Sequence, residues 1–248
     1  MKELLIGNGA VARGLFEAGC KVVSSYPGTP STEITEQAAK YDEIYTEWAP
    51  NEKVACEVAI GASFAGQRAF CAMKHVGLNV AADPLYTASY IGVNGGLVVG
   101  VADDPGMFSS QNEQDTRRHA IAAKVPVVEP SDSEECRDFV KYAYELSEKF
   151  DTPVILRLTT RVAHSRSLVE LCDRVVPEQK PYKKNIQKNV MMPAMAKGRH
   201  VFVEKRMNEL AQYGESCPFN RVEMADTDIG VITSGISYQY VKEALGEK

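Results

Sequence analysis

The chain of 248 residues is 44% hydrophobic and 25% charged, with a net charge of −5. This composition is typical of an ordinary soluble globular protein and disfavours a nucleic-acid-binding one. No apolar run approaches the roughly 18 residues of a membrane span and no signal peptide is recognisable, which disfavours membrane and secreted classes. The six cysteines form no C-x-x-C pair, so zinc and redox-pair sites are disfavoured and a cytoplasmic location is expected.

The N-terminal segment predicts a strand over residues 3–6, a helix from Gly7 to about Gly19, and a second strand over 21–25. Gly7, Gly9 and Ala12 match G-x-G-x-x-A, the fingerprint of dinucleotide-binding proteins. A dinucleotide site also needs an acidic residue at the end of the second strand. That strand ends in Ser-Ser-Tyr-Pro instead. Close helix–strand packing is therefore the favoured explanation of the glycines, and dinucleotide binding the weaker alternative.

The segment 26–34, Tyr-Pro-Gly-Thr-Pro-Ser-Thr-Glu-Ile, predicts a rigid turn followed by a helix. Two prolines and a glycine restrict the backbone of the turn. Ser31 or Thr32 is expected to cap the helix that begins near Glu33. Taken alone, this pattern indicates only a tight turn.

A helix is also predicted around residue 50. Pro50 suits a first helical turn, and Asn51 and Glu52 would lie near the positive end of the helix dipole. Small residues then recur at helical spacing and would let another backbone or a flat ligand come close; they are Ala55, Ala59, Ala62, Ala65 and Gly66. A buried strand is predicted over 69–73, and residues 74–77 are expected to form the loop that leaves it.

The remaining pattern alternates helices and strands. Helices are predicted from residue 83 and over 131–149, and strands over 95–102, 124–130 and 152–158, with a polar loop over 103–115. This rhythm predicts an α/β fold: a doubly wound, mostly parallel sheet with helices on both faces. Adjacent Asp103 and Asp104 suggest a metal site, but two neighbouring carboxylates do not by themselves complete a Mg²⁺ shell. A loop that shapes a substrate opening or a dimer contact is favoured.

Three segments are expected. Residues 1–171 would form one domain, and residues 172–226 a linker that contains a helix over 196–213. Residues 227–248 have the pattern of a strand, a glycine turn and the start of a helix, typical of the first βα unit of a second, truncated domain.

Four motifs together resemble a known family. They are the helix pattern Glu52-x-x-Ala55-x-x-x-Ala59-x-Gly61 and the segments 26–32, 74–84 and 103–115. They are similar to alpha subunits of indolepyruvate:ferredoxin oxidoreductases, in the 2-oxoacid:ferredoxin oxidoreductase family. The resemblance implies that residues 1–171 are the domain that binds the pyrimidine ring of thiamine diphosphate.

The resemblance also implies site residues. Glu52 would hydrogen-bond N1′ of the cofactor's pyrimidine ring, a role that suits an acid in an apolar pocket. Thr29 and Lys74 would bind the 2-oxoacid, and His75 would donate a hydrogen bond to it or act in acid–base chemistry, with a histidine satisfied by a backbone carbonyl as the alternative. Further cofactor contacts are expected at Pro27, Gly28, Gly77 and Asn79. Arg161 and His164 rank lower, as residues facing the site or a partner domain.

The implied reaction is oxidative decarboxylation of indolepyruvate or another arylpyruvate to the acyl-CoA, with electrons passing to ferredoxin. Family members that use pyruvate hold its carboxylate with an arginine at the place of Asp103 and Asp104, so a larger aromatic substrate is expected here. Coenzyme A, ferredoxin and a beta subunit are the implied partners, with Mg²⁺ and [4Fe-4S] clusters expected outside this chain. Small-residue helices and the Gly95-Gly96 strand favour a homo-oligomer. The alternatives are a non-catalytic remnant that only pairs with partners and a Rossmann-type dinucleotide-binding protein.

Overall fold

The computed structural model describes residues 1–224 and 228–246. Its strands are β1 (Lys2–Ile6), β2 (Val22–Ser25), β3 (Tyr45–Trp48), β4 (Ala69–Lys74), β5 (Leu97–Asp103), β6 (Val127–Val128), β7 (Val154–Thr159) and β8 (Arg166–Glu170). Six of them form a parallel sheet in the order β3-β2-β4-β5-β7-β6. The central strands β4 and β5 are buried on both faces and are almost entirely apolar, as a covered parallel sheet requires.

Helices cover both faces of this sheet. They are α1 (Gly7–Glu17), α2 (Thr32–Ala38), α3 (Glu52–Phe64), α4 (His75–Val80), α5 (Ala82–Ile91), α6 (Thr116–Ala123), α7 (Ser133–Phe150), α8 (Thr160–His164), α9 (Ile186–Asn189), α10 (Pro193–Gly214) and α11 (Ile236–Leu245). One apolar core joins the sheet to α1, α2 and α7, and the other joins it to α3, α5 and α6. Alternate strand residues supply the two cores: Phe70 and Ala72 on one face, Cys71 and Met73 on the other. The predicted doubly wound α/β fold is confirmed.

The first strand differs from its expected place. β1 pairs antiparallel with β8 in a separate two-stranded sheet. A Cβ at Gly7 would stand 2.1 Å from the carbonyl oxygen of Val162, and one at Gly14 would stand 2.6 Å from that of Arg137. These glycines therefore let α1 lie directly on α8 and α7. A dinucleotide fingerprint joins a strand of the parallel sheet to its helix, so the structure argues against that alternative.

The helix predicted near Pro50 begins two residues later. Asn51 is the N-cap of α3, and its side-chain oxygen accepts a hydrogen bond from the Val54 N–H at 3.0 Å. Pro50 precedes this cap and lies outside the helix. The residues from Tyr45 to Trp48 form β3, a strand that the sequence pattern does not predict. The capping amide determines where the helix starts because it satisfies an N–H that has no partner inside the helix.

Two turn predictions also need correction. Residues 74–77 were expected to form a loop, but α4 starts at His75, directly after β4. Ser31 does not cap α2: its hydroxyl donates to the Gly28 carbonyl at 2.8 Å, and the Thr32 hydroxyl accepts from the Gly28 N–H at 3.0 Å. Both hydroxyls are therefore used in hydrogen bonds within the turn that precedes α2, and they do not cap the helix.

The predicted helix over 196–213 is confirmed by α10, which packs on α5. Of the strand predicted within 227–248, Thr227 lies outside the described residues, and residues 228–235 form no strand. Ile229 and Ile232 of this segment are exposed, because no described strand lies beside them to pair with. The three-segment division stays a prediction.

The Gly95-Gly96 pair faces the interior. A Cβ at Gly95 would stand 2.2 Å from the carbonyl oxygen of Gln67, and one at Gly96 would stand 2.8 Å from the Tyr144 ring. These glycines therefore do not form a surface on which a second copy of the chain could pack. The homo-oligomer itself stays a prediction. None of the helices in the described part of the chain is both long and apolar enough to cross a membrane.

Candidate functional site

Four loops meet where the parallel strands end. The register aligns Ser25 with Ala72, and Asp103 with Thr159, so β2, β4, β5 and β7 end at one edge of the sheet. Ligands of open α/β sheets bind outside this carboxyl edge. The segments that leave it are 26–32, 75–80, 104–115 and 160–164, and the start of α3 lies beside them. The predicted site residues belong to these segments, except Lys74, which is the last residue of β4.

Glu52 and Gly77 are in direct contact. A Cβ at Gly77 would stand 2.6 Å from the Glu52 Oε1 atom, so only glycine leaves room for this carboxylate against α4. Glu52 itself is half-buried, whereas Ala55 and Cys56 on the next turn are fully buried. The expected fully apolar pocket is therefore formed on one side only, and the other side of the Glu52 carboxylate remains open to a ligand.

His75 is buried at the start of α4, with 1% of its surface exposed. Its Nε2 atom lies 2.9 Å from the carbonyl oxygen of Asn112. A carbonyl only accepts hydrogen bonds, so Nε2 carries the proton, and Nδ1 of the neutral ring is an acceptor. Nδ1 is buried and has no partner within the described residues. His75 thus has the backbone-carbonyl partner of the alternative interpretation together with one unused buried nitrogen, and its role toward the substrate stays a prediction.

Lys74 lies across the turn after β2. A Cβ at Gly28 would stand 3.1 Å from the Lys74 Cδ atom, and the Lys74 ammonium donates to the Ser109 carbonyl at 3.0 Å. Lys74 therefore connects this turn with the loop after β5. Three predicted residues on the same edge are exposed, and their side chains make no hydrogen bond to the described residues: Pro27, Thr29 and Asn79.

Asp103 and Asp104 stabilise the loop that follows β5. Asp103 is fully buried and binds the Arg157 guanidinium at 2.7 Å and the Thr116 N–H at 3.1 Å. Burial opposes ionisation of Asp104, but the Ser109 N–H and the hydroxyls of Ser110 and Thr160 donate to it and hold its pKa below the usual value. Both carboxylates are thus used within the chain, and they shape the loop.

Arg161 and His164 line a cavity to which Glu52 does not belong. The Nε2 atom of His164 lies 3.6 Å from Oε1 of Glu33. The structure therefore brings Glu52, Gly77, His75, Lys74 and Gly28 together, but not these two residues.

Sequence reasoning missed two supporting residues. Ser25 accepts hydrogen bonds from the Thr35 hydroxyl at 2.6 Å and the Ala72 N–H at 3.2 Å, so it joins β2, α2 and β4 at the edge. Two serines at the end of a buried strand were a usable signal. Asn112 acts on His75 through its backbone carbonyl, for which the side-chain pattern holds no signal.

Comparison with known proteins places this chain in a family. Residues 13–216 match the model described as "Pyruvate flavodoxin/ferredoxin oxidoreductase, thiamine diP-bdg". The chain belongs to this family. The cofactor of the family is thiamine diphosphate, so the family predicted from the motifs is confirmed.

Curated relatives are similar along almost the whole chain. Indolepyruvate oxidoreductase subunit IorA of Pyrococcus horikoshii is 49% identical, over 98% of this chain and 39% of the relative. The subunit of the same name from Archaeoglobus fulgidus is 46% identical, over 98% of this chain and 41% of the relative. The chain thus spans about two fifths of the length of these relatives.

A solved structure has the same fold. It is the 2-oxoglutarate:ferredoxin oxidoreductase from Magnetococcus marinus with 2-oxoglutarate, coenzyme A and succinyl-CoA bound, with a TM-score of 0.79. The match covers 98% of this chain and 50% of the other, at 20% identity. At this identity the likeness shows the fold alone.

The contact between Gly77 and Glu52 gives a test of the site. In the full-length enzyme, Gly77→Ala is expected to push the Glu52 side chain aside and to lower activity by about 10²-fold, the effect of displacing a site group by about an ångström. The free energy of unfolding should change by less than about 1 kcal/mol, because the clash falls on a flexible side-chain end and alanine favours helix. Turnover and thermal unfolding measure the two effects.

Gly61→Ala is the matched control on α3, since a Cβ there would meet nothing within 4 Å. Full activity in the Gly77→Ala enzyme would show that the close approach has no part in the site.

Proposed function

We propose that this chain binds the pyrimidine ring of thiamine diphosphate and forms part of an arylpyruvate:ferredoxin oxidoreductase. The observation that carries the proposal is the half-buried Glu52 carboxylate, which lies against Gly77 at the carboxyl edge of the sheet. A carboxyl group suits a ring nitrogen of a planar heterocycle, and the unpartnered Nδ1 of His75, on the same helix as Gly77, is a second group that can bind a ligand at this edge.

When bound, thiamine diphosphate supplies the carbon that attacks a 2-oxo group and accommodates the electrons left by decarboxylation. Glu52 holds a proton at N1′ of the pyrimidine ring. His75 is fixed by Asn112 and accepts a hydrogen bond at Nδ1 from a ligand N–H or O–H. These side chains orient the ligand and exchange protons with it, and their positions are fixed by α3 and α4.

Lys74 and Thr29 bind the 2-oxoacid substrate. The Lys74 ammonium is held at the edge by the Ser109 carbonyl, and the exposed Thr29 hydroxyl has no partner within the described residues. A cation and a hydroxyl are suitable groups for a carboxylate and its neighbouring carbonyl. Pro27, Gly28 and Asn79 complete the contacts proposed for the cofactor.

The loop after β5 favours an aromatic substrate. Where pyruvate-using members are expected to hold an arginine, Asp103 is bound to Arg157 and Asp104 to the loop itself. Met107, at the tip of this loop, is apolar and exposed. An indole or phenyl side chain would gain apolar contact here that the methyl group of pyruvate would not.

The remaining parts of the reaction lie outside this chain. We place the sites for the cofactor's diphosphate, Mg²⁺ and [4Fe-4S] clusters in the rest of the protein or in a beta subunit. Coenzyme A would accept the acyl group, and ferredoxin the electrons. The cytoplasm and a homo-oligomeric assembly complete the proposal.

The substrate class can be tested with the assembled enzyme and thiamine diphosphate. Rates of ferredoxin reduction with indolepyruvate, phenylpyruvate, pyruvate and 2-oxoglutarate give kcat/KM for each. An aryl substrate should exceed pyruvate by about 10²-fold, since one or two apolar groups in a pocket contribute about 10–200-fold each. Equal or higher values for pyruvate or 2-oxoglutarate would overturn the substrate assignment.

A further inference from the structure

A cavity lies at the end of β7. Its volume is about 950 Å³, it is open to solvent on one side, and it is bounded by the start of α8, the loop after β5 and the segment that leads into α11. This volume is at the upper end of the range for small-molecule sites. None of Glu52, Lys74, His75 and Gly77 is among the described residues that line it. We refer to this space, between Thr159–Ser165 and Ile232–Tyr240, as the α8–α11 cavity.

The cavity is rich in cationic groups. Arg117, Arg157 and Arg161 line it, against the single carboxylate of Glu129. Glu129 binds both Arg157 and Arg117. Arg161 is exposed and has no ion pair with residues 1–224 or 228–246. Among the described residues of this lining, the Arg161 guanidinium is therefore available to bind a carboxylate or phosphate in a bidentate geometry.

Two buried hydroxyls also lack partners. The Oγ1 atoms of Thr159 and Thr233 are both buried without a hydrogen bond in the described structure, and both residues line the cavity. Buried polar atoms are almost always hydrogen-bonded, so an unpaired one calls for a missing partner. Here two of them belong to residues that line one cavity, Thr159 at the end of β7 and Thr233 in the segment before α11.

His164 is a further polar group of the lining, and its imidazole lies near a carboxylate outside the cavity. Its Nε2 lies 3.6 Å from Glu33 Oε1, and Glu33 Oε2 accepts from the Asn8 amide at 2.8 Å. Asn8 is fully buried and donates also to the Pro30 carbonyl at 2.7 Å. His164 and Arg161 line the same wall of the cavity, and the Arg161 guanidinium gives this wall a positive charge. The first turn of α11 lines the facing wall, with its dipole positive toward the cavity.

We propose that the α8–α11 cavity binds an organic anion whose carboxylate or phosphate head lies between Arg161, His164 and the two threonine hydroxyls. The apolar body of the ligand lies against Phe108 and Tyr240, which are the aromatic residues of the lining. The site is separate from the proposed cofactor site and does not depend on it.

The test uses the 248-residue chain and two probes with the same apolar body, phenylacetate and phenyl phosphate, with inorganic phosphate as the head alone. Titration is followed by calorimetry and by NMR of the backbone amides of residues 233–237. We expect at least one aryl probe to bind, with shifts confined to these amides and to the start of α8. The tighter of the two probes identifies the head group, and weak binding of inorganic phosphate shows the contribution of the apolar body.

Two variants locate the site. Arg161→Gln is expected to weaken binding at least about tenfold, the effect of losing a charged hydrogen-bond donor. Thr233→Val should weaken it too, although it removes a hydroxyl that makes no hydrogen bond in the free protein and should leave thermal stability unchanged. Arg166→Gln, an exposed arginine outside the cavity, is the matched control.

Absence of binding by all three probes at millimolar concentration would overturn the proposal. Binding that Arg161→Gln leaves unchanged would overturn it as well. Neither result bears on thiamine diphosphate, which is tested through Glu52 and Gly77.

Discussion

Glu52→Gln is expected to slow turnover of the assembled enzyme by about 10²–10⁴-fold, the effect of losing a positioned acid–base group. Glutamine has the same shape and still donates a hydrogen bond, but it cannot exchange a proton with the cofactor's N1′. Cofactor binding and the midpoint of thermal unfolding should therefore stay close to those of the parent enzyme. The direct measurement is exchange of the C2 proton of bound thiamine diphosphate, followed by NMR after acid quench.

Glu57→Gln is the matched control for this experiment. Glu57 is on the same helix, five residues further on, and is exposed to solvent. The Glu57→Gln enzyme should match the parent enzyme both in exchange of the C2 proton and in turnover. If Glu52→Gln did so too, Glu52 would be only a residue of the first helical turn, and the central assignment would be wrong.

Arg206→Met is expected to lower the free energy of unfolding by on the order of 3 kcal/mol, because several buried acceptors would lose their hydrogen-bond donor. Arg206 is 1% exposed, and burial lowers its pKa to about 10. Its guanidinium donates to the carbonyls of Ser89 and Asp151 at 2.9 Å each, to the Ser89 hydroxyl at 3.0 Å and to the Lys124 carbonyl at 3.2 Å.

The position of these acceptors explains the size of the effect. Lys124 and Asp151 end α6 and α7 in the left-handed conformation. Their carbonyls have no partner within those helices, because the last carbonyls of a helix are left unpaired. Methionine fills a similar volume but offers no N–H, so these acceptors would be buried unsatisfied.

Thermal unfolding of the Arg206→Met chain should show a midpoint about 6–12 °C lower than that of the parent. Lys205→Met, at the neighbouring and largely exposed position, should change stability by less than about 0.5 kcal/mol. An unchanged midpoint for Arg206→Met would mean that α10 does not unfold together with the sheet. In that case residues 172–226 would behave as the linker that the sequence predicts.

The sheet was predictable because its strands carry their own signal. The run 95–102 is continuously apolar, and β5 is buried along its whole length. The helix over 131–149 was predictable from its cap, and Asp132 indeed accepts from the Glu135 N–H at 2.9 Å. Both elements depend on local pattern, which a single sequence contains.

Long-range contacts decide what the sequence could not predict. The partner of β1 lies more than 150 residues away, and β8 itself, from Arg166 to Glu170, is largely exposed and polar. The strand expected near Ile229–Ile232 has the right residues, but no described strand lies beside it. A strand forms only where another pairs with it, and the pattern of one segment does not identify that partner.

The site was predictable as a set of residues but not as an arrangement. Glu52, Lys74 and His75 were found through their motifs, whereas the role of Gly77 follows from a distance that only the fold provides. The direction of the His75 hydrogen bond depends on a backbone carbonyl, which every residue possesses. A pattern of side chains therefore does not predict which backbone groups contact the residues of a site.

The pairing of β1 with β8 has a consequence for how the chain folds during synthesis. β1 and α1 are made before the main sheet, but β8, with which β1 pairs, is made after all six of its strands, and α7, on which α1 packs, after five of them. The side of α1 that packs on α7 therefore stays uncovered until the nascent chain has grown past residue 150, and β1 has no partner strand until it has grown past residue 170. Pairings of such large sequence separation form slowly. β1 and the side of α1 that packs on α7 are thus expected to become protected from hydrogen exchange later than the strands of the main sheet.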